Sequence, residues 1–169
     1  MRRALTATIV VWVAALTPAT AYYHYNRYTP DGIIQEKFDL AALPNRTLTF
    51  FVAQTGELEY GPNDSLPAVL NQIRQAALAW NDPRSALQVA FGGLTERTAP
   101  EGTPHGLVVF EDIPPGWVAY STRTVSEPVS GPDGAFVPVT QGVVHLNRNL
   151  AERPGPSYMD AFFTTVVHE

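Results

Sequence analysis

Residues 158–169, YMDAFFTTVVHE, are the stretch that most constrains the fold of this chain. Ser157 and Asp160 form a capping-box-like start just before an apolar pattern. The apolar residues recur at the spacing of one helical face: Met159, Phe162, Phe163 and Val166. The pattern predicts a helix, yet its last residue is Glu169, a carboxylate at the end where cations and a following Gly are usual. We therefore expect the helix and the biological chain to continue beyond residue 169.

Toward the N-terminus, five strand-length segments precede this helix, separated by turns rich in Pro and Gly. They are residues 48–53, 87–94, 105–113, 117–125 and 143–150. Within the third segment, residues 107–110 (LVVF) form a continuous apolar run, which is typical of a central strand covered on both faces. The sequence GPDG at residues 131–134 predicts a hairpin turn.

A long amphipathic helix is predicted between the first two strands. Its apolar face holds Leu66, Val69, Leu70, Ile73, Ala77 and Trp80. Ser65 or Asp64 is the expected N-cap, residues 81–83 (NDP) are the expected end, and Trp80 is expected in the core. The element order predicts an α+β fold: a mixed five-stranded sheet, a long helix after its first strand, and a second helix at the C-terminus, both helices packed on one face.

The N-terminus has the pattern of a signal peptide over residues 1–21. Arg2 and Arg3 precede the apolar run 4–16, and residues 19–21 (ATA) match an A-x-A cleavage site. The run is too short to span a bilayer, so we expect a secreted or periplasmic protein that leaves the membrane after cleavage. Residues 22–47 are expected to form an N-terminal arm, loosely packed over residues 22–31, and residues 48–169 a single folded domain.

Composition narrows the function classes. The formal net charge is −5 and no basic cluster occurs, which argues against nucleic-acid binding. The chain has no Cys, which excludes thiol catalysis and Cys-ligated zinc. We expect a monomer.

The final dipeptide, His168-Glu169, matches the start of the sequence H-E-x-x-H. On a helix, two His at i and i+4 bind one zinc ion and the Glu beside the first acts as a general base. Only the first two positions of that motif fall within this chain. A His-Glu pair alone is a weak signal, because an exposed helical pair is the ordinary alternative.

In combination, these elements resemble the N-terminal half of the metzincin zinc peptidases, within them the matrixin-like branch. Three stretches carry the resemblance, and they lie within residues 48–169. They are 77–80 (ALAW) with 87–91 (LQVAF), 105–110 (HGLVVF), and 143–147 (VVHLN) with 162–169 (FFTTVVHE). The resemblance implies a secreted zinc-dependent endopeptidase, cut within the motif H-E-x-x-H-x-x-G-x-x-H.

The resemblance also implies roles for individual residues. His168 is the first zinc ligand, and Glu169 is the base that takes a proton from a zinc-activated water. The other zinc ligands lie beyond residue 169. The fourth strand lies at the lip of the cleft, where an extended protein or peptide substrate pairs as an added strand. The substrate-binding residues are then Trp117, Val118, Ala119 and Tyr120.

The chain departs from the animal members of this family in two ways. It has no Cys for a cysteine-switch latch, and it has no His-rich loop for a structural zinc. Calcium at the turn 131–134 is a further option that no residue pattern supports.

Other interpretations stay open. One is an exported, non-enzymatic β-rich binding or adhesion module, or an inactive zincin remnant; another is a zincin with Glu as its third ligand. His105 and His145 lie in strands and are expected to be hydrogen-bonded structural histidines. Glu111 and Asp112 should point to opposite faces of a strand end, and both are expected to be solvated.

Overall fold

A computed structural model of the chain describes residues 25–30, 32–54, 58–59, 61–62, 64–96, 102–114, 117–150 and 166. These residues form an α+β fold with a mixed sheet of eight strands and one α-helix. The strands are β1 (Tyr25–Thr29), β2 (Gly32–Lys37), β3 (Thr47–Ala53), β4 (Gln88–Thr95), β5 (His105–Glu111), β6 (Ala119–Val125), β7 (Val129–Gly131) and β8 (Gly134–Asn147). The helix α1 spans Leu66–Ala79, and a 3-10 turn spans Pro44–Arg46.

The sheet is parallel in its centre and antiparallel where β6 and β7 join it. Its order is β1-β2-β8-β5-β3-β4, and both β6 and β7 pair with β8. Strands β4, β3, β5 and β8 run parallel to one another, whereas β6 runs antiparallel to β8. Helix α1 connects the parallel pair β3 and β4, as a crossover between parallel strands requires. The predicted α+β class is confirmed, and all five predicted strands have a counterpart.

The prediction of five strands was too low, and residues 22–47 are not simply a loose arm. Within them, β1 and β2 form an antiparallel hairpin, and β2 pairs in parallel with the start of β8. The apolar pattern gives little signal there because the inward position 36 is a glutamate. Its charge is balanced by Arg27 and Arg123, both within salt-bridge distance.

Strand β8 begins at Gly134 rather than at residue 143. Pro138 interrupts the sequence pattern of its first half, and Pro is rare in central strands because it cannot donate to the ladder. The structure accommodates Pro138 opposite Lys37 at the end of the short β2 ladder. The hairpin turn predicted at residues 131–134 is confirmed, since Gly131 pairs with Gly134 across the turn between β7 and β8.

The main core lies between α1 and one face of the sheet. Its buried members are Val52, Val69, Ile73, Val108, Phe110, Val144, Leu146 and Leu150. Val166, which is helical, packs against this cluster; the rest of the predicted C-terminal helix lies outside the described residues. On the opposite face, Ala53, Leu107 and Val109 form a second buried cluster. The apolar run 107–110 is therefore covered on both faces, as predicted.

Trp80 is not a core residue. It follows the last helical residue as the C-cap of α1, and 46% of it is exposed. Its side chain helps to line an apolar cavity of about 260 Å³, together with Phe38, Phe50, Leu87 and Val166. The apolar spacing places Trp80 on the buried face only if the helix continues through residue 80. The helix ends at Ala79, so the spacing does not apply to Trp80. The predicted N-cap Ser65 is confirmed in position, although its side chain makes no capping hydrogen bond.

The end of α1 is tied to β4 by one amide side chain. Asn81 Oδ1 accepts a hydrogen bond from the Val89 backbone N–H at 2.6 Å, and Asn81 Nδ2 donates to the Val89 carbonyl at 2.9 Å. These two bonds reproduce the pairing that a neighbouring strand would give. They fix where β4 begins relative to the helix.

We expect Gly106→Ala to destabilise the full chain by about 1–3 kcal/mol, because overpacking a filled core costs that much. A Cβ at Gly106 would overlap the Phe50 ring of the adjacent strand. Gly142→Ala is the matched control, since its Cβ would lie 3.6 Å from Phe38 Cζ, an ordinary contact. The control should change the unfolding free energy by less than about 1 kcal/mol. Urea denaturation measures both, and an equal effect of the two substitutions would contradict this packing.

Candidate functional site

The predicted substrate-binding residues lie at the start of β6. Ala119 and Tyr120 are its first two residues, and the strand begins two residues later than predicted. Trp117 and Val118 precede it and are exposed, and the Trp117 backbone N–H donates to the Pro114 carbonyl at 3.1 Å. The predicted catalytic and metal residues, Glu169 and His168, lie outside the described residues.

Strand β6 is an edge strand within the described part of the chain. There it pairs with β8 alone, in the register Ala119↔Leu146 to Val125↔Val139. Residues 121–124 are all exposed. An edge strand presents unpaired backbone N–H and C=O groups, which can pair with an added extended peptide.

A hydrogen-bonded side-chain network, which we call the β6 strap, ties this edge to the sheet. It consists of Glu111, Tyr120, Thr122 and His145. Tyr120 Oη donates to Glu111 Oε1 at 2.7 Å, and His145 Nδ1 donates to the same oxygen at 2.9 Å. On the other side of the imidazole, Nε2 lies 2.9 Å from Thr122 Oγ1. The strap therefore links three strands: β5, β8 and β6.

Ring stacking adds to these hydrogen bonds. The Tyr120 ring lies parallel to the His145 imidazole, with centroids 4.3 Å apart and an interplanar angle of 3°. Trp117 meets Tyr120 edge to face, with centroids 6.0 Å apart. Offset or edge-to-face contacts of this kind contribute beyond the area they bury. They fix the orientation of both rings at the start of β6.

The structure corrects the prediction that Glu111 is solvated. It confirms the prediction that His105 and His145 are hydrogen-bonded. Glu111 is not simply solvated, because it accepts two of the three hydrogen bonds of the strap. Asp112 does point away: its side chain is 75% exposed and pairs with Arg148 at 2.7 Å. His145 is hydrogen-bonded as predicted, and so is His105, whose Nε2 lies 2.8 Å from Gln141 Nε2.

Glu111 is also the largest cause of a pKa shift at Tyr120. The hydrogen bond from the phenol to this carboxylate raises the Tyr120 pKa above its usual value of 10.0, and burial and the negative charge add to the shift. A raised pKa in the folded state means that folding favours the neutral phenol. That contribution is complete below pH 10 and is lost as the pH rises through the raised pKa.

We therefore expect the stability difference between the wild type and Tyr120→Phe to shrink as the pH rises above 10.0. The phenolate that forms there no longer donates to Glu111 and is repelled by it. Thermal unfolding from neutral to alkaline pH measures the difference. Tyr28→Phe is the control, because that ring is 80% exposed, and it should show no such dependence. A constant difference at Tyr120 across this range would contradict the assigned bond.

The opposite face of β6 is held by charge. Arg123 Nε donates to Glu36 Oε2 on β2, and the Arg27 Nε atom lies 3.7 Å from the other Glu36 oxygen. The Tyr25 ring covers the Arg123 guanidinium, with its centroid 3.6 Å from Cζ. The Glu36 side chain is only 7% exposed, so it is well shielded and doubly paired. The N-terminal hairpin thus contacts the same edge strand.

Metal-binding groups are sparse in the described residues. Among them, no three His, Cys, Asp or Glu side chains are grouped so that they could hold a metal ion. An imidazole nitrogen is a ligand that zinc prefers, and a hydrolytic site needs three protein ligands with one open position. The role of His168 as such a ligand stays a prediction, because His168 lies outside the described residues.

Comparisons with known proteins gave no relatives. No protein-family model, no curated protein and no solved structure matches this chain. Among the described residues, none of the helices has the length and apolar character that crossing a membrane would require.

Proposed function

We propose that this chain is the N-terminal part of a zinc-dependent endopeptidase. More narrowly, we propose a secreted enzyme of the matrixin-like branch of the metzincins. The observation that carries the proposal is the arrangement of strands before His168-Glu169. Strands β4, β3, β5 and β8 form a parallel block, and β6 is added antiparallel at the edge. The fourth strand of the predicted five is thus the open edge in the described structure, where the resemblance requires the substrate strand.

The position of Val166 supports the same proposal. Val166 is helical and packs against the core cluster on the α1 face of the sheet. It belongs to the predicted buried face of the C-terminal helix, two residues before His168. A helix anchored in this way would hold the His-Glu pair on the scaffold rather than on a free tail.

The chemistry assigned to this chain is the binding of one metal ion and the transfer of one proton. His168 would contribute an imidazole ligand to zinc. Zinc, when bound, polarises water and the peptide carbonyl. Glu169 would accept the proton of the attacking water and deliver it to the leaving amine, which is general acid–base catalysis by a carboxylate.

Substrate would bind along β6 as an extended strand. The exposed residues 121–124 leave room for a peptide backbone beside this edge. Main-chain hydrogen bonds would then supply affinity, and alternate side chains would supply specificity. Trp117 and Tyr120 would lie at one end of the bound peptide.

An exported binding module is the second candidate function, and the open β6 edge favours it as well. Such a module would bind an extended peptide without cleaving it. The two candidates differ in one readily tested respect, because only the peptidase needs further zinc ligands.

The test is the coding sequence beyond codon 169, followed by assay of the full-length product. We expect the reading frame to encode x-x-His and then Gly-x-x-His, and the product to cleave peptides in a chelator-sensitive manner. A stop codon directly after Glu169, or a full-length product that binds peptides without cleaving them, would favour the binding module.

A further inference from the structure

We propose that Glu111 and His145 are positioning residues that hold the edge strand β6 ready to accept an extended peptide. The inference rests on the proposed function only in taking β6 as the peptide-binding strand. Neither residue lies on β6 itself: Glu111 ends β5, and His145 belongs to β8. Both reach β6 through side-chain contacts on one face of the sheet.

The geometry of Tyr120 carries the first step. Strand β8 lies between β5 and β6, so β5 and β6 are about two strand spacings, or roughly 9–10 Å, apart. The Tyr120 ring lies over His145 on β8, and its hydroxyl reaches Glu111 on β5. One side chain of the edge strand therefore crosses its neighbour and is anchored on the next strand.

Thr122 supplies the second anchor on the same face. Its hydroxyl lies 2.9 Å from His145 Nε2, while Nδ1 of that ring is engaged with Glu111. The hydrogen bond from Nδ1 to the carboxylate thus fixes the orientation of the imidazole. It also determines that Nε2 is the ring nitrogen that faces Thr122. Removing Glu111 would release the Tyr120 hydroxyl and the Nδ1 side of His145 together.

The other face of β6 is fixed independently through Arg123. Its guanidinium pairs with the shielded Glu36 and is covered by Tyr25. Tyr120 and Thr122 are therefore held on one face of the sheet, and Arg123 is held on the other. Edge strands pair on one side only and open more readily than central strands. The contacts on both faces of β6 counteract this tendency to open, and they keep the β6 backbone extended.

Preorganisation is the functional consequence. A strand that is already ordered loses less conformational entropy when a peptide pairs with it, so binding is tighter. Neither Glu111 nor His145 is assigned to the reacting atoms. Loss of the strap should therefore raise KM for an extended peptide by about 3- to 10-fold, as expected for one or two net hydrogen bonds, and leave kcat nearly unchanged.

The experiment compares Glu111→Ala with Asp112→Ala in the full-length protein. The two carboxylates are adjacent, but Asp112 is exposed and turned away from the strap. His145→Phe is the second test variant, since it keeps an aromatic ring under Tyr120 and removes both hydrogen bonds. The readouts are KM and kcat for an internally quenched extended peptide, and hydrogen–deuterium exchange of the β6 amides.

We expect Glu111→Ala and His145→Phe to raise KM and to speed amide exchange in residues 119–125, and Asp112→Ala to do neither. Unchanged exchange in both test variants overturns the inference, whether or not the protein cleaves peptides. Faster exchange with an unchanged KM overturns the positioning role. So does a fall in kcat as large as the rise in KM. A wild type that does not cleave refutes the proposed function alone, and the exchange data then decide whether the strap orders β6.

Discussion

Glu169→Gln in the full-length protein should lower kcat for peptide hydrolysis by at least about 100-fold, because general acid–base catalysis by one group contributes about 10²–10⁴-fold. Glutamine keeps the size of the side chain but does not accept a proton at neutral pH. Zinc content should stay unchanged, since the proposed function gives proton transfer to Glu169 and metal binding to His168. Kinetics with a peptide substrate and metal analysis of the purified variant measure the two effects.

Asp160→Asn is the matched control for that experiment. Asp160 is a second carboxylate of the same predicted helix, at its N-terminal end. Its loss should weaken the helix start slightly and leave kcat near the wild-type value. Cleavage by the Glu169→Gln variant at the wild-type rate would reject the role of Glu169. Loss of bound zinc in that variant would instead make Glu169 a metal ligand.

Much of the scaffold can be predicted from the sequence because apolar runs define it. The continuous run 107–110 marks a strand covered on both faces, and the structure buries it between two clusters. The spacing of Val69, Ile73 and Ala77 predicts the buried side of α1. Such patterns report burial directly, so a single sequence is sufficient to identify these elements.

The N-terminal hairpin cannot be predicted in this way, because three of its four half-buried residues, Arg27, Thr29 and Glu36, are charged or polar and only Ile34 is aliphatic. The shielded Glu36 is paired with Arg27 and Arg123, and Arg123 is 87 positions away along the chain. Local propensity carries no information about such a distant partner. The same holds for the start of β8, where Pro138 suggests a break in the strand.

The strap depends on register, which the sequence does not reveal. Tyr120 lies opposite His145 only because β6 and β8 pair as they do. Glu111 and His145 are separated by 34 positions and meet through the parallel pairing of β5 and β8. The sequence predicts Tyr120 as a substrate-binding residue, which stays a prediction, and it gives no indication of the partners of Tyr120. The roles of His168 and Glu169 stay predictions, since both lie outside the described residues.

Ile73→Ala should lower the unfolding free energy of the full chain by about 2–5 kcal/mol, the range for truncating a buried aliphatic side chain. Ile73 is 2% exposed and joins α1 to the sheet through the main core cluster. A typical domain is stable by only about 5–15 kcal/mol, so this loss is a large fraction of the total. Urea denaturation with an unchanged m-value would measure it.

Leu78→Ala is the matched control, because Leu78 lies on the same helix and is 50% exposed. Its truncation should change the free energy by no more than about 0.5 kcal/mol. Equal losses at the two positions would show that α1 does not pack through Ile73.

Ile73 and Val166 also line the same cavity, so the effect of Ile73→Ala should extend to the segment that carries His168. If the proposed function holds, saturating zinc should restore part of the stability that the full-length Ile73→Ala variant loses, because a ligand that binds only the folded state stabilises it.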